Sequence, residues 1–413
     1  MISEYVLGDC IINILDYRGK TPEKLGGTWT SNGVRVISAL NVHDGIIDNE
    51  DKIRCVSEDI YIKWMSEEIQ RYDCLLASEG ASLGENTIWD SDERIVLGQR
   101  LYAIRTNPDV LDPWYFAMYM QTNLFQKQIH QVSTGSTVFG ISQPILRSMK
   151  LLLPEINEQR KIGNLYKNIR NKLIVNKSMC SDLEALAKEI YDYWFLQFDF
   201  PDENGNPYKS SGGKMVWNEN LKREIPDGWT VGKFGDICNF IMGQSPKGDS
   251  YNLNNNGLPL INGAVELTKE GIEISKYTTE FTRTSEINDW LFCIRATLGN
   301  INLSDRVYCL GRGVSAARAR NSIFQEYIYF NLVDMIAHFE KSLSGSIIVG
   351  MTKDDIIDFP IVIPKADCVR KFHTKTVSLF ERKYMSLSEN RELTKLRDFL
   401  LPMLMNGQIK IGE

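Results

Sequence analysis

The chain has 413 residues, 43% of them hydrophobic and 24% charged, with a net charge of −6. That length predicts two or three domains, the composition allows proper cores, and the acidic balance excludes a uniformly basic nucleic-acid binder while leaving room for local basic patches. The eight cysteines are scattered with no C-x-x-C pair, and no apolar run approaches 18 residues. A disulfide framework, a zinc site and a membrane span are therefore not expected, and the expectation is a cytoplasmic chain with reduced thiols.

In chain order, the first landmarks are Leu7-Gly8-Asp9 and the turn Arg18-Gly19-Lys20-Thr21-Pro22. Short β-rich runs such as 95–104 alternate with Gly-containing turns, and an amphipathic helix is expected over 113–132. Leu152-Leu153-Pro154 then leads into a long segment with apolar residues every seventh position: Ile162, Ile169, the polar exception Asn176, Leu183 and Ile190. A parallel count takes Leu165, Lys172, Met179, Leu186 and Tyr193. Such spacing places one seam along a long helix. The string 201–213, rich in Pro, Asn, Gly and Ser, reads as a linker without elements of its own.

Beyond it the landmarks return in the same order. Phe234-Gly235-Asp236, Gly243-Gln244-Ser245-Pro246, Asp289-Trp290-Leu291-Phe292, Leu310-Gly311-Arg312-Gly313 and Gly345-Ser346 repeat features of the first half. Val362-Ile363-Pro364 again precedes a heptad series, Phe372, Leu379, Ser386, Leu393 and Leu400. The offset falls from 227 between Gly8 and Gly235 to 210 between Gly135 and Gly345, so the copies differ by loop insertions. Matched order over six landmarks signals an internal duplication. The fold class is accordingly α+β: two pseudo-repeated globular domains (1–157 and 229–366) separated by long helices (158–199 and 367–413) packed as an antiparallel coiled coil, with 200–228 as linker.

Catalytic patterns are weak. Asp112-Pro113-Trp114-Tyr115 approaches the Asp-Pro-Pro-Tyr loop of amino-methyltransferases, but Trp114 replaces the second Pro, and Asp before Pro is ordinary helix-start chemistry. Gly19-Lys20-Thr21 ends like a phosphate loop, yet Ile14 stands where its first Gly is needed. The four histidines show no metal-ligand spacing. What the turns do offer is basic and small polar side chains at matched places. They are Arg18, Lys20, Thr21, Arg100, Thr134, Ser136 and Thr137 in the first copy, and Gln244, Ser245, Lys247, Arg295, Arg312, Ser344 and Ser346 in the second. These are residue types that reach phosphates and base edges. Scaffold landmarks match between the copies while these loop residues differ, as in a binder that uses one face twice.

The run 154–162 (Pro-Glu-Ile-Asn-Glu-Gln-Arg-Lys-Ile) and the segment 198–215 resemble type I restriction-modification specificity (S) subunits over essentially the whole chain. Ile225-Pro226-Asp227-Gly228-Trp229, Gly243-Gln244-Ser245-Pro246 and 396–401 with Asn406-Gly407 add to the likeness. The second helix start, Pro364 to Arg370, departs by lacking the Glu-Gln pair of the first. The resemblance implies two target-recognition domains on an antiparallel coiled coil, no catalysis, and no cofactor in this chain. It also implies double-stranded DNA as ligand and two methyltransferase (M) subunits bringing S-adenosylmethionine. Where present, two motor-nuclease (R) subunits would bring ATP and Mg²⁺. The expected target is bipartite and asymmetric, and Tyr191, Trp194 and Phe195 are expected either to face an M subunit or to pack against the globular domain. The competing readings are a self-sufficient adenine methyltransferase built on 112–115 and a structural coiled-coil adaptor.

Overall fold

The computed structural model describes residues 2–133, 139–294, 300–342 and 350–411. They divide into two compact units, Met1–Val175 with Glu392–Glu413, and Asn176–Arg391.

The first unit is built on a four-stranded antiparallel sheet in the order Ile11–Asp16, Leu101–Thr106, Cys74–Ala77, Asn86–Ile88. Cys74–Ala77 and the first four residues of Leu101–Thr106 are apolar at every position for a reason set by the two-residue strand period. Cys74, Leu76, Tyr102 and Ile104 enter a core shared with helix Pro113–Gln121. Leu75, Ala77, Leu101 and Ala103 enter a second core against the sheet Arg54–Val56, Val34–Ile37, Ile95–Leu97. The sheet is thus a wall between two cores.

The second unit repeats this plan. Cys238–Met242, Val314–Ala319, Trp290–Cys293 and Ile301–Leu303 follow one another in the same order. Trp290, Phe292 and Ala317 face one core while Leu291, Cys293 and Ala316 face the other. The parallel pair Val34–Ile37 with Ile95–Leu97 is matched by Leu258–Ile261 with Cys309–Leu310. The copies also share a buried ion pair. Asp73 accepts from Arg105 Nε at 2.9 Å and from the Gln70 amide at 2.8 Å. Asp289 accepts from Arg318 Nε at 2.9 Å and from the Glu286 amide at 2.7 Å. The expected duplication is present down to single hydrogen bonds.

The central helix spans Ile156–Tyr191 and the C-terminal helix Ala366–Met405. In the first unit Ile162 and Tyr166 share a core with Leu401, Leu404 and Met405. In the second, Asn176 Nδ2 donates to Glu389 Oε2 at 2.8 Å and Asn390 Oδ1 at 2.9 Å, and Cys180 Sγ donates to the Lys383 carbonyl at 3.4 Å. Further along, Tyr191 lies 6.3 Å from Phe372 between ring centroids. In the second unit, partners descend on one helix as they ascend on the other, so the pairing there is antiparallel.

Several expectations are corrected. Ile162, Ile169, Asn176, Phe372 and Ser386 are buried and Leu183, Ile190, Leu379, Leu393 and Leu400 half-buried. The companion count from Leu165 is not the buried one: Leu186 is 46% exposed and Tyr193 38%. Inward positions fall one residue later, at Tyr166, Cys180, Ala187 and Trp194, because seam steps alternate four and three. Tyr191, Trp194 and Phe195 point into the second core, turned inward where the helix widens into a π-type turn at Asp192–Leu196. The central helix therefore stops short of 199. The segment 200–228 is no free linker: Met215–Asn218 pairs with Arg223–Pro226, and Phe200 stacks on Tyr208 and Trp229 at 4.6 and 4.8 Å. The run 95–104 is two strands in different sheets, turned at Arg100 with φ of 64°. The helix expected over 113–132 breaks at Thr122, whose hydroxyl caps Asn123–Val132 by accepting from the Phe125 amide.

Candidate nucleic-acid interface

In the first unit, strand Ile11–Asp16 ends in the turn that carries Arg18. Its guanidinium grips Asp16 with Nε at 2.8 Å and Nη2 at 2.7 Å and stacks 4.5 Å above the Tyr102 ring. Arg100 approaches from the neighbouring turn, its Nε 3.5 Å from Glu79 Oε1, while Arg18 Nη1 lies 4.0 Å from Glu79 Oε2. Two guanidinium groups thus converge on one carboxylate at the end of the central sheet. Burial pushes the Asp16 carboxyl upward, but hydrogen bonding and charge from Arg18 prevail and hold its pKa below the ordinary value. Arg18 is raised in turn by its bond to Asp16.

Lys20 and Thr21 do not join this cluster. Lys20 Nζ bonds the Trp64 carbonyl at 2.5 Å, and Thr21 Oγ1 accepts from the Lys24 amide. Thr134, Ser136 and Thr137 lie outside the described residues. Their described neighbours come to the cluster: the Gly80 amide donates to the Phe139 carbonyl and the Ile141 amide to the Ser78 carbonyl, both at 2.9 Å.

The corresponding place in the second unit has different chemistry. Gln244 follows strand Cys238–Met242, its amide bound to the Leu310 carbonyl at 2.8 Å and its side chain exposed. Ser245 Oγ accepts from the Arg312 amide at 3.1 Å and donates to Asn262 Oδ1 at 3.4 Å. Gly243 allows this turn, since a Cβ there would lie 2.2 Å from the Gly311 carbonyl oxygen. Arg312 and Lys247 are exposed beside it. Arg295, Ser344 and Ser346 lie outside the described residues, but the Met351 amide binds the Ile294 carbonyl at 2.9 Å, repeating the Ile141–Ser78 bond. Sequence reading missed Asp16, Glu79 and Asn262. Only the strand register would have flagged Glu79, six residues past Asp73 as Arg295 is six past Asp289.

Asp112 is a helix cap. Its Oδ1 accepts from the Tyr115 amide at 2.9 Å, its own amide is held by Gln159, and burial raises its pKa. Tyr115 is fully buried. Among the described residues there is no group of three or more potential metal ligands, and no helix is long and apolar enough to cross a membrane.

Two copies of one α+β scaffold, each with a matched set of turns of different chemistry and each seated on paired long helices, define a protein with two recognition surfaces. The chain belongs to the type I restriction modification DNA specificity domain family, which it matches over residues 7–182 and 226–391, once per copy. It is 25% identical over 314 residues to the type I restriction enzyme MjaIX specificity subunit of Methanocaldococcus jannaschii, covering 72% of this chain and 69% of that one. To the HindI specificity subunit of Haemophilus influenzae it is 20% identical, over 83% and 87% of the two chains. The S subunit of M. genitalium has a similar fold, with a TM-score of 0.64 at 17% identity over 98% and 96% of the chains.

Proposed function

We propose that this chain is the DNA-recognition subunit of a type I restriction-modification complex and that its two copies read unlike halves of a bipartite, asymmetric target. The observation that supports this best is the contrast within the duplication. The buried Asp73–Arg105 pair recurs as Asp289–Arg318, whereas Arg18 and Arg100 give way to Gln244 and Gly313. Guanidinium groups suit guanine O6 and N7, and a carboxamide suits adenine N6 and N7, so equal scaffolds with unequal turns favour unequal half-sites.

The subunit has no catalytic role and acts with other subunits and DNA. In the finer reading, two M subunits supply S-adenosylmethionine and methylate adenines. R subunits, where present, use ATP and Mg²⁺, all in the cytoplasm. Val175 and Leu186 on the central helix, with Tyr193 and Leu196 in the π-type turn that follows it, are exposed apolar positions offered to an M subunit. With a net charge of −6 the chain alone binds DNA weakly, and its partners provide much of the phosphate contact.

Genome-wide adenine-methylation mapping in cells carrying this chain with its M subunit tests the reading. A two-part motif with a fixed gap is expected, Arg100→Ala relaxing one half and Gln244→Ala the other. A short palindrome, or both variants relaxing the same half, would overturn it.

A further inference from the structure

In the first unit a two-residue turn, Asp44-Gly45, joins Val42–His43 to Ile46–Ile47, with φ of 45° and 80° at its two residues. Such left-handed pairs make tight hairpins. This one is wedged against the long helices. Arg170, on the central helix and only 8% exposed, donates from Nε to the Gly45 carbonyl at 2.7 Å and from Nη2 to Thr87 Oγ1 at 3.2 Å and the Ile88 carbonyl at 3.4 Å. Thr87 Oγ1 itself donates to Gly45 O at 2.7 Å. Arg397, on the C-terminal helix and also buried, reaches Asp44 Oδ1 with Nη2 at 3.1 Å. The fit has no slack: a Cβ on Gly45 would sit 2.3 Å from Gln121 Nε2 and 2.7 Å from the Tyr166 hydroxyl.

Burying two guanidinium groups is an expensive way to hold a hairpin, and apolar side chains of similar volume would commonly stabilise as well. What arginine adds is direction, because a rigid fork satisfied at several acceptors admits one orientation. In the second unit the corresponding hairpin, Leu267–Thr268 with Gly271–Ile272, is held by Arg391 from the C-terminal helix together with Asn300 and Asn302 of its own domain, which donate to the Leu267 and Thr268 carbonyls at 2.8 and 3.1 Å. Arg391 bonds the Ile272 carbonyl at 3.2 Å and Asp305 at 3.4 Å beside a cleft of about 110 Å³ lined by Tyr384, Asn302 and Gly271. The two domains are latched to their helices by unequal means.

We propose that Arg170 and Arg397 are positioning residues that set the angle of the first recognition domain on its helices, and thereby the number of base pairs allowed between the two half-sites. The proposal rests on the recognition function above. Adding one base pair moves a half-site by roughly 3.4 Å and turns it by roughly 35°, so a small rotation of the domain is enough to change which gap fits.

The test is methylation mapping with Arg170→Met, Asp44→Asn and the swap Asp44→Arg with Arg397→Asp. Arg170→Met and Asp44→Asn should leave both half-site sequences intact. Methylation at gaps one base pair longer or shorter should rise roughly tenfold relative to the native gap, the scale of one charge-assisted hydrogen bond. The charge swap should narrow the gap again, which a merely structural role would not do. Asp44 is exposed and Asn tolerates its backbone, so Asp44→Asn decides the matter where Arg170→Met fails to fold. A single unchanged gap in Asp44→Asn, or a change in half-site sequence, overturns the proposal. A wild-type chain giving no two-part motif would sink the recognition reading itself.

Discussion

Replacing Asp73 by Ala tests the scaffold that both copies share. Asp73 is 1% exposed and accepts three hydrogen bonds: Arg105 Nε at 2.9 Å, Arg105 Nη2 at 2.8 Å and the Gln70 amide at 2.8 Å. Removing one member of a buried pair costs about 3–5 kcal/mol, chiefly from the charge left behind. Here Arg105 keeps Glu67 at 2.5 Å and the Glu68 carbonyl at 3.0 Å, which places the expected loss near the lower end, about 3 kcal/mol. Asp289→Ala should cost less, about 2 kcal/mol, because the Arg318 side chain is 29% exposed against 14% for Arg105, and water takes up part of the charge. Asp73→Leu combined with Arg105→Met should recover most of the loss, since no buried charge then remains. Urea unfolding should be followed by amide exchange in each unit, because two units need not melt in one transition. A loss below about 1 kcal/mol for Asp73→Ala, or a double variant less stable than the single one, would refute the argument from the buried charge.

Two further changes address single contacts. Gly163→Ala puts a Cβ 2.5 Å from Asp112 Oδ1 and 2.9 Å from the Tyr115 amide, so it should lower stability by about 1–3 kcal/mol despite the better helix propensity of Ala; an unchanged melting temperature would count against the close approach. In Arg18→Ala the burial of Asp16 is opposed only by the residue-18 amide and Gln143, without the guanidinium's hydrogen bonds and charge, and its carboxyl pKa should rise. Because the native value is depressed, the stabilisation from Asp16 is present above its unfolded-state pKa and fades as pH falls through the folded one; the variant should show a weaker acid-side dependence. A carboxyl titration by NMR with the same midpoint in both proteins would exclude Arg18 as the cause.

The duplication was legible because it rests on covalent order: the same Gly turns and the same Asp before a buried strand recur, whatever the loops between them do. The heptad count from Ile162 was legible for the same reason. Its companion was misread because a count of three from each seam residue and a count of four look alike where both series hold apolar residues, and only packing tells Leu186 from Ala187. For Tyr191, Trp194 and Phe195 aromatic density does not tell a partner-facing surface from the core; the π-type turn beside Tyr191 that carries Trp194 and Phe195 inward leaves no simple signature. The linker reading failed for the opposite reason. Its turn formers are real turns, but Phe198, Phe200 and Trp229 at its margins draw it onto the second core. At the interface, side-chain type alone could not separate Arg100, which is exposed, from Lys20, whose ammonium bonds the Trp64 carbonyl, and only its place six residues past Asp73 marks Glu79.

The polar residues of the helix seam have a physical consequence for the register of the two long helices. An apolar heptad seam can slip by one repeat with modest loss, since Leu meets Leu again seven residues on. Such a slip shifts one helix by roughly 10 Å, the length of about three base pairs. In the second unit that slide is opposed. Asn176 is fully buried and its Nδ2 is shared between Glu389 and Asn390. Lys383, 9% exposed, has its ammonium on Glu184 at 2.9 Å, while its carbonyl receives the Cys180 thiol. Moving either helix by seven residues would separate the Lys383 ammonium from Glu184 and Asn176 from its acceptors, each a penalty of about 1–3 kcal/mol or more for the charged group. Residues that contribute little to net stability thus select one register out of several, and the proposed reading of a two-part target with a fixed gap would draw more on a single register than on a stronger seam.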